Sequence, residues 1–431
     1  MSLCKLDSIL EKIQKYHPKY IDLKLDRMLR ILNDLDNPHL SLPPTIHVAG
    51  TNGKGSTISF LRGMLENNGL SIHTYTSPHL VNFNERIRLN GKLISEEFLT
   101  EILIRVDKIN NGKEITFFEI TTAAAFLAFS SIKADILLLE VGLGGRLDAT
   151  NVVPNVIASI ITEISFDHEH FLGNSLSSIA REKSGIIKSG VPVITINHNE
   201  EINEEIKKIS RNNNAPLSVI DKKTFLTEKN GYSFILHNNR IKLPKPSLLG
   251  DHQLENSALA VACIVLISKK IDKIELSSCF EGLKHCAWPA RLQIIKEGKF
   301  VNIVNNQRRL IILDGAHNLS GAIALRSTLS KINCEWLIIF GYLKTRDPME
   351  YLKIMMPISK NIITTNITES VESFSSNELL KFSNSLGFSS DKSKDLVEAF
   401  KISKTKNLNI CVCGSLYLAG EFLRLNKTTP S

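Results

Sequence analysis

The chain has 431 residues, which is enough for two or three domains. Its apolar content of 43% is ordinary for a globular protein, and its longest apolar run, 258–268, is too short to cross a bilayer. The formal net charge of +8 could suit an anionic substrate, although the Lys-, Asn- and Ile-rich composition explains it equally well. Because no basic run is interleaved with aromatic residues, we expect no nucleic-acid partner, and we expect no membrane partner either.

The cysteines and the N-terminus both bear on location. The seven cysteines show no paired spacing of the metal-binding kind, and the first residues lack the apolar core of a signal peptide. Both features are typical of a cytoplasmic protein with reduced thiols. We therefore expect a cytoplasmic location.

Helical spacing predicts two helices, over 3–15 and 24–35, before the first strand at 45–49. The stretch His47-Val-Ala-Gly-Thr-Asn-Gly-Lys-Gly-Ser-Thr57 then combines the end of this strand, a glycine-rich turn and the start of a helix. This order predicts a phosphate-binding loop, because glycines let backbone N–H groups approach an anion and a helix N-terminus adds positive charge. Lys54 would reach the terminal phosphates. The expected nucleotide-binding residues of this loop are Thr51, Asn52, Gly53, Lys54, Gly55, Ser56 and Thr57.

The loop departs from the usual P-loop pattern at two positions. That pattern has glycine where Val48 stands, and serine or threonine where Gly55 stands. A glycine turn that merely joins a strand to a helix is therefore an alternative. If the loop does bind ATP, the magnesium ion must find oxygen ligands elsewhere, because Gly55 occupies the usual ligand position.

A second strand is predicted at 71–75 and is followed by a long irregular loop at 76–86. Pro78 disfavours helix in this loop, and a loop of this length in a compact domain is often functional. Helical patterns follow at 95–109 and 116–130.

Glu140 ends the next strand, predicted at 134–141, whose other central residues are apolar. Open parallel sheets bind ligands at the carboxyl ends of their strands, and a carboxylate there is a common second anchor for Mg²⁺ on ATP. A solvated carboxylate is the simpler explanation. Gly142 and Gly144 also suggest a dinucleotide turn, but the third glycine is absent and Pro154, with β-branched neighbours, stands where a helix is expected.

The pattern then predicts a strand at 156–161, a helix at 175–183 and a strand at 192–196. Short β-like runs at 217–247 suggest a small β insertion, and a long apolar helix follows at 252–269.

A hinge is predicted at 288–293, and from about residue 300 strands and helices alternate again. The predicted elements are strands at 310–313, 336–340, 361–364 and 408–412 and helices at 319–330, 348–356, 376–384 and 415–424. We therefore predict an α/β protein with two domains. Residues 1–294 would form a P-loop ATPase-type domain with a mostly parallel sheet, and 295–431 a smaller Rossmann-like α/β domain.

Several polar residues follow predicted strands. His168 lies near Asp167, a pair that suits a metal, although a solvated loop is the better explanation when the pair is taken alone. Lys183 lies at a helix end, where a cation could simply complement the helix dipole. Three strand ends in the second domain carry polar motifs, which together indicate a ligand-binding edge. These motifs are Asp314-Gly-Ala-His317-Asn318, Gly341-Tyr-Leu-Lys-Thr-Arg-Asp347 and Cys413-Gly-Ser415.

From about residue 20 to 424 the chain resembles the folylpolyglutamate synthase family. It is especially similar to the bacterial bifunctional enzymes that are also dihydrofolate synthases, relatives of the muramyl-peptide amide ligases. The resemblance rests on an ordered set of motifs: His47-Val-Ala-Gly-Thr-Asn-Gly-Lys-Gly-Ser, Ser77-Pro-His-Leu, Glu140-Val-Gly-Leu-Gly-Gly-Arg-Leu-Asp-Ala-Thr-Asn151, Asp167-His168 with Leu172-Gly173, Arg181-Glu-Lys-Ser-Gly185, Trp288-Pro-Ala-Arg291, Asp314-Gly-Ala-His-Asn318 and Gly414-Ser415.

The resemblance implies how ATP and metal are held. It places ATP between the two domains, with Ser77 and Glu140 binding one Mg²⁺ and His168 helping to bind a second. It implies that Lys183 carries a carbamate, and K⁺ is a further candidate cation. Asn256 would contact the nucleotide.

The resemblance also assigns residues of the C-terminal domain. Arg291 would contact the nucleotide, and Asp314 and His317 would close over it. His317 and Ser415 would receive glutamate. Lys54, Lys183 and His317 are therefore the expected catalytic residues. The roles of Lys344 and Arg346 stay open, because relatives often have Lys-Asp where this chain has Arg346-Asp347.

The activity implied is that of an ATP-dependent amide ligase. The substrate carboxylate would become an acyl phosphate, and the amine of L-glutamate would attack it. The acceptors would be dihydropteroate and reduced folates, as the similarity of residues 21–39 to bifunctional enzymes suggests, and the protein is expected to be a monomer. The rival hypotheses are a phosphotransferase, a nucleotide-gated binding or scaffold protein, and an amide ligase of cell-wall synthesis.

Overall fold

The structure is a computed structural model that describes residues 3–16, 23–304, 309–332, 334–368 and 372–428. Residues 21 and 22 of the segment compared with bifunctional enzymes lie outside the described residues. The chain divides into two units. The first consists of the described residues up to His79, of Phe83–Ser247 and of Leu254–Cys286, and the second consists of Leu80–Asn82, Leu248–Gln253 and the described residues from Ala287 onward.

The first unit is built on one large sheet and one small sheet. Its strands are β1 Thr45–Ala49, β2 Ile72–Tyr75, β3 Ile87–Leu89, β4 Lys92–Leu93, β5 Ile136–Glu140, β6 Val156–Ile161, β7 Val193–Ile196, β8 Leu217–Ile220, β9 Leu226–Glu228, β10 Gly231–Leu236 and β11 Asn239–Pro244. The large sheet has the order β4-β3-β2-β5-β1-β6-β7-β8, and β9–β11 form the small antiparallel sheet. Six strands of the large sheet, from β2 to β8 in that order, run parallel.

Helices cover the large sheet. Those that lie wholly or mainly in the first unit are α1 Leu3–Gln14, α2 Asp26–Asp34, α3 Lys54–Asn67, α4 Glu96–Asn110, α5 Phe117–Ser131, α6 Glu169–Leu172, α7 Leu176–Ser184, α8 Glu200–Asn212, α9 Asp251–Ile267 and α10 Leu276–Glu281. All five residues of β1 and of β5 are buried, as expected for parallel strands covered on both faces. Residues of α1, α2, α4 and α5 share a core with Leu137 and Leu139 of β5.

The strand order determines where polar strand ends meet. Strands β2, β5, β1 and β6 are neighbours and parallel, so the residues that follow their carboxyl ends lie along one edge of the sheet. Ser77, Glu140, the phosphate loop and the segment after Ile161 are therefore brought together.

The second unit contains a six-stranded sheet of order β12-β13-β17-β14-β15-β16. Its elements are β12 Gln293–Ile294, α11 Lys299–Val304, β13 Ile311–Leu313, α12 Leu319–Leu329, β14 Trp336–Phe340, α13 Pro348–Met355, β15 Asn361–Thr365, α14 Ser376–Ser385, β16 Ser389–Ser393, α15 Leu396–Lys406, β17 Asn409–Cys413 and α16 Leu416–Asn426. Strand β12 is antiparallel and the others are parallel. Apolar clusters cover both faces, with Ile339 and Val412 in one cluster and Ile338 and Cys411 in the other.

The α/β prediction with two sheets is confirmed, and several details differ from it. Residues 287–294, assigned above to the first domain, belong with the second unit. Strand β8 of the predicted β insertion joins the large sheet. The β3–β4 hairpin, α6, α8, α10, α11, α15, β12 and β16 were not predicted. Strand β16, with the sequence Ser-Ser-Asp-Lys-Ser, is an edge strand and shows no apolar alternation.

Within the described ranges, no helix combines the length and the apolar character that crossing a membrane requires.

The first testable prediction concerns the pair that anchors α2 to α5. Arg27 donates from Nε and Nη2 to the two carboxylate oxygens of Glu119, at 3.0 Å each, and Glu119 is 5% exposed. Arg27→Ala leaves this carboxylate buried without its bidentate partner, so we expect a loss of about 3 kcal/mol in the free energy of unfolding. Urea unfolding followed by circular dichroism measures it.

The exposed pair of Lys207 and Glu204, at 2.8 Å, supplies the control. Glu204→Ala should change the free energy of unfolding by less than about 0.5 kcal/mol. Equal losses in the two variants would show that the Arg27 pair contributes no more than a surface pair.

Candidate functional site

The phosphate loop lies between β1 and α3. Gly50 and Gly53 have φ angles of +150° and +90°, and α3 begins at Lys54. A Cβ atom at Gly53 would lie 2.3 Å from Oδ1 of Asn256, so the side chain of Asn256 packs directly against the loop. Two residues that the sequence analysis assigned to the nucleotide are thus neighbours, although they are about 200 positions apart.

Two lysine side chains meet at this loop. Nζ of Lys54 donates to the carbonyl oxygens of Gly50 and Thr51, at 3.0 and 3.1 Å. Nζ of Lys183 donates to the same Gly50 oxygen, at 2.9 Å, from the end of α7. The structure therefore brings two of the expected catalytic residues onto one backbone carbonyl.

Lys183 is only 4% exposed, and its ionisation reflects this position. Burial, and next the charge of Lys54, lower the pKa of Lys183 to about 7, although Asp167, Glu163 and Asp148 act in the opposite direction. Near neutral pH a large fraction of this side chain is therefore the uncharged amine, which is the nucleophilic form.

Glu140 and Ser77 also lie together. Glu140 pairs with Val48 across the β5–β1 ladder, two residues before Gly50, and is 4% exposed. The backbone N–H of Ser77 donates to Oε2 of Glu140, at 3.2 Å. The Glu140 carboxylate, with the backbone of Ser77 bonded to it, thus lies beside the strand that leads into the phosphate loop.

This donor set suits a magnesium ion that arrives with a nucleotide. Mg²⁺ prefers oxygen ligands, keeps several waters and usually takes only one or two carboxylates in addition to phosphate oxygens. The part of the chain that the structure describes has no group of three or more His, Cys, Asp or Glu side chains that could hold a metal by themselves. Glu140 and Ser77 therefore fit a metal whose remaining ligands come from phosphate and water.

His168 follows β6, on the other side of β1 from Glu140. It has a φ angle of +54°, its side chain is 51% exposed, and its Nε2 lies 3.9 Å from Oδ1 of Asp167. Its place at the same sheet edge agrees with the expected second-metal role, which stays a prediction.

The glycine-rich turn after Glu140 packs against the helix that carries Lys183. A Cβ at Gly145 would lie 2.7 Å from the carbonyl oxygen of Glu182 and 2.8 Å from that of Lys183. The N–H of Arg146 also donates to the Glu182 oxygen, at 2.8 Å. Glycine at position 145 thus allows the turn to reach the backbone at Lys183.

Sequence analysis missed a buried network beneath this turn. His47 Nε2 is 2.9 Å from the hydroxyl of Thr150, and Thr150 Oγ1 donates to Asp148 Oδ1 at 2.5 Å. Asp148 Oδ2 accepts from Leu143 N, at 2.8 Å, which fixes the turn after Glu140. Burial lowers the pKa of His47 to about 3, so the imidazole is neutral.

Glu163 was also missed. Its carbonyl accepts from Thr51 N, at 2.7 Å, and its Oε2 accepts from Asn52 Nδ2, at 3.0 Å. It lies two residues after the end of β6, so the rule that identified Glu140 from its place at a strand end would have identified it too.

In the second unit, Asp314 and Arg291 lie near each other. Asp314 accepts from Leu292 N at 2.7 Å and from Ala316 N at 2.8 Å. Burial raises the pKa of Asp314 above its ordinary value, and the charge of Arg291 and these N–H donors offset only part of that increase. The Asp314 carboxylate therefore orders the turns on both sides of it.

His317 and Ser415 follow the neighbouring strands β13 and β17. His317 Nδ1 donates to the Gly315 carbonyl, at 2.8 Å, which makes Nε2 the acceptor nitrogen of the neutral ring. Ser415 Oγ accepts from Tyr417 N, at 3.1 Å, and caps α16. Ser415 is thus the N-cap residue of α16.

Arg346 and Lys344, whose roles were left open, make different contacts in the structure. Arg346 Nη1 donates to the carbonyl of His317, at 2.9 Å. Lys344 instead lies 3.5 Å from Glu378 and 5.9 Å from the ring centre of Phe374. Arg346 thus fixes the backbone at His317, one of the two residues expected to receive glutamate.

Comparison with known families covers both units. The model of the Mur ligase middle domain matches residues 48–264, and that of the dihydrofolate synthetase C-terminal domain matches residues 298–425. The dihydrofolate synthase/folylpolyglutamate synthase of Bacillus subtilis is 33% identical, over 92% of this chain and 93% of that protein. The chain belongs to the dihydrofolate synthase/folylpolyglutamate synthase family. The predicted resemblance is confirmed.

Other family members differ in their names. The dihydrofolate synthetase of Saccharomyces cerevisiae is 33% identical, over 95% of this chain and 99% of that protein. This relative is named for one activity, whereas the Bacillus subtilis relative is named for two.

Solved structures of the family share the fold of this chain. Escherichia coli FolC in complex with DHPP and ADP is 26% identical, with a TM-score of 0.83 and 97% of both chains covered. The bifunctional synthase of Yersinia pestis, complexed with AMPPNP and Mn, is 27% identical with a TM-score of 0.83, again over 97% of both chains. A bifunctional synthase with Mn, AMPPNP and L-glutamate bound is 26% identical, with a TM-score of 0.81 and 97% of both chains covered.

The second testable prediction concerns the pH dependence that Lys183 imposes. The pKa of Lys183 is about 7 in the folded protein, against an ordinary value of 10.5. Between these values only the unfolded chain binds the proton, so folding stability rises with pH, by up to about 1.4 kcal/mol per pH unit. From pH 7.5 to 9.0, we expect the wild type to gain roughly 1–2 kcal/mol relative to Lys183→Met.

Urea unfolding of both proteins in carbon-dioxide-free buffer measures this difference. Lys183→Met also loses the bond to Gly50, but that loss does not depend on pH and cancels when the two pH values are compared. Parallel stability curves for the two proteins would show that Lys183 keeps an ordinary pKa in the folded state.

Proposed function

We propose that this protein ligates L-glutamate to dihydropteroate and to reduced folates at the expense of ATP, with the phosphate loop and Glu140 as its nucleotide and metal site. Family membership makes it an ATP-dependent ligase of folates and glutamate. The observation that carries the site is the meeting of Lys54, Lys183, Ser77 and Glu140 at one sheet edge. The related synthases that bind AMPPNP and Mn support ATP and a divalent metal as the cosubstrate and cofactor.

The reaction needs activation of an acid. A carboxylate does not condense with an amine unaided, because oxide is a poor leaving group. Transfer of the γ-phosphoryl group from ATP to the carboxylate gives ADP and an acyl phosphate. The glutamate amine then attacks the acyl carbon and inorganic phosphate leaves, so no protein nucleophile is required.

Within this scheme the chain supplies position and charge. Lys54, now bonded to two loop carbonyls, would turn to the phosphates when they arrive, because a phosphate oxygen is a stronger acceptor than a neutral carbonyl. Ser77 and Glu140 would hold Mg²⁺, and His168 would contribute to a second ion. Mg²⁺ would neutralise charge on the transferred phosphoryl group.

The remaining nucleotide and glutamate residues are proposed on their position and on the resemblance. Asn256 packs against Gly53 and would contact the nucleotide. In the second unit Arg291 and Asp314 would also contact it. His317, supported by Arg346, and Ser415 would receive glutamate.

A narrower activity is a second candidate. The matching C-terminal model is that of dihydrofolate synthetase, and a relative from Saccharomyces cerevisiae is named for that activity alone. These matches favour a single glutamate addition to dihydropteroate, whereas the bifunctional relatives favour both additions. Substrate preference decides between the two.

We further propose that Lys183 carries a carbamate. Its buried amine, with a pKa lowered to about 7 by burial and by Lys54, can attack carbon dioxide: the new N–C bond forms and one proton leaves. The product is an anion beside the phosphate loop. K⁺ stays a prediction of the resemblance, to be tested by replacing K⁺ with Na⁺ in the assay.

Location and assembly are proposed on indirect grounds. Six cysteines of the described chain are free thiols, five of them buried, which supports the reducing cytoplasm as the working compartment. We propose a monomer, which size-exclusion chromatography with light scattering tests, and no nucleic-acid partner.

The third testable prediction tests the function itself. ADP release should require both glutamate and an acceptor, with dihydropteroate and tetrahydrofolate each tried. Lys54→Ala should lower the rate of ADP release at least about 100-fold, because it removes the positive charge that stabilises the transferred phosphoryl group. The circular dichroism spectrum should stay unchanged.

Each rival hypothesis predicts a different result. A phosphotransferase releases ADP without glutamate, and a nucleotide-gated scaffold binds ATP with negligible turnover. A cell-wall ligase uses muramyl substrates and ignores folates. Normal turnover by Lys54→Ala would refute the assignment of the loop.

The fourth testable prediction concerns the carbamate. Lys183→Ala should lower ligation at least about 100-fold, because an anion in the site is lost, and formate or acetate should restore part of it. The matched control is Lys188→Ala, since Lys188 is a nearby, partly buried lysine that bonds to the carbonyl of Asn151, at 3.1 Å, and not to the phosphate loop. Rescue that is equal in the two variants, or full activity of Lys183→Ala, would rule out the carbamate.

A further inference from the structure

The four residues after β6, 162–165, form a supporting segment that hydrogen-bonds to the phosphate loop. Thr162 N donates to Ala49 O at 2.8 Å, and Thr51 N donates to Glu163 O at 2.7 Å. Thr51 Oγ1 donates to Ser165 O at 3.1 Å, and Ser165 N donates back to Thr51 Oγ1 at 3.1 Å. The loop thus continues the pairing of β1 with β6 past the ends of both strands.

Within this supporting segment, the side chain of Thr162 contacts the phosphate loop. Its hydroxyl donates to the carbonyl of Asn52, at 2.7 Å, and the residue is fully buried. A Cβ at Gly50 would lie 1.8 Å from this hydroxyl oxygen, so the hydroxyl occupies the space that a side chain at position 50 would need. Thr162 therefore requires glycine at position 50.

The charged contact made by Lys54 cannot maintain the shape of the loop during binding. Lys54 and Lys183 both donate to Gly50 O, but phosphate would draw Lys54 away from that carbonyl. The bond from the Thr162 hydroxyl joins two uncharged groups below the loop. An arriving anion does not compete for it.

From this geometry we propose that Thr162 is a positioning residue for nucleotide binding: its hydroxyl holds the phosphate loop in the shape that receives ATP. The inference rests on the proposed nucleotide-binding role of the loop. Thr162 itself would touch neither substrate nor metal.

The test compares two variants of Thr162. Thr162→Val has nearly the same shape but removes the donor, so the Asn52 carbonyl loses this 2.7 Å bond. Thr162→Ser retains the donor. We expect Thr162→Val to weaken ADP binding about tenfold in calorimetric titration, equivalent to about 1.4 kcal/mol, and to raise KM for ATP by a similar factor. Thr162→Ser should stay within about threefold of the wild type, and KM for L-glutamate should not change in either variant.

Thr195 supplies a matched control on the neighbouring strand β7. It is also buried, at 1% exposure, and its hydroxyl also donates to a backbone carbonyl, that of Ile161, at 3.0 Å. Thr195→Val therefore loses an equivalent bond, one that reaches the end of β6 and not the phosphate loop itself. It should lower the melting temperature about as much as Thr162→Val but leave ADP affinity unchanged.

The outcomes separate this inference from the proposed function. If Lys54→Ala weakens ADP binding but Thr162→Val weakens it no more than Thr195→Val does, the loop assignment stands and the role of Thr162 is overturned. If Lys54→Ala binds ADP normally, the loop assignment fails and the inference fails with it. A tenfold loss confined to Thr162→Val and relieved in Thr162→Ser supports the proposal.

Discussion

The carbonyl oxygen of Gly50 accepts hydrogen bonds from the Nζ groups of both Lys54 and Lys183, and the rest of the site depends on this shared acceptor. Two ammonium groups bonded to one oxygen repel each other, and burial makes the repulsion stronger than it would be in water. The pKa of Lys183 falls for these two reasons, burial first. An anion at the loop would relieve the repulsion, which agrees with the phosphate-binding role proposed for the loop.

Close approach of backbone segments determines where these side chains can lie. Gly50 makes room for the Thr162 hydroxyl, Gly53 for the amide of Asn256 and Gly145 for the backbone at Lys183. At each position a Cβ would come within 3 Å of its neighbour, and Gly50 and Gly53 also have positive φ angles. The glycine-rich motifs thus carry chemistry indirectly, because they let neighbouring elements place their polar groups at the loop.

Sequence reasoning located the features that depend on periodicity and on strand ends. The apolar strands β1 and β5 were found because covered parallel strands are apolar throughout, and Glu140 was found because it interrupts that pattern. The β16 edge strand was missed because its residues have no apolar alternation. The His47–Thr150–Asp148 network and Thr162 were missed for a different reason: their roles lie in hydrogen bonds to partners distant in sequence, which residue type does not reveal.

The burial of Lys183 also argues against a purely structural or scaffold role for this edge of the sheet. Lysine is among the residues least often buried, and burying its charge destabilises the folded state. A methionine of similar length would fill the same space without the charge of Lys54 acting against it. A site that retains an amine with a pKa near 7 at this expense of stability is more simply explained by chemistry at that amine than by packing.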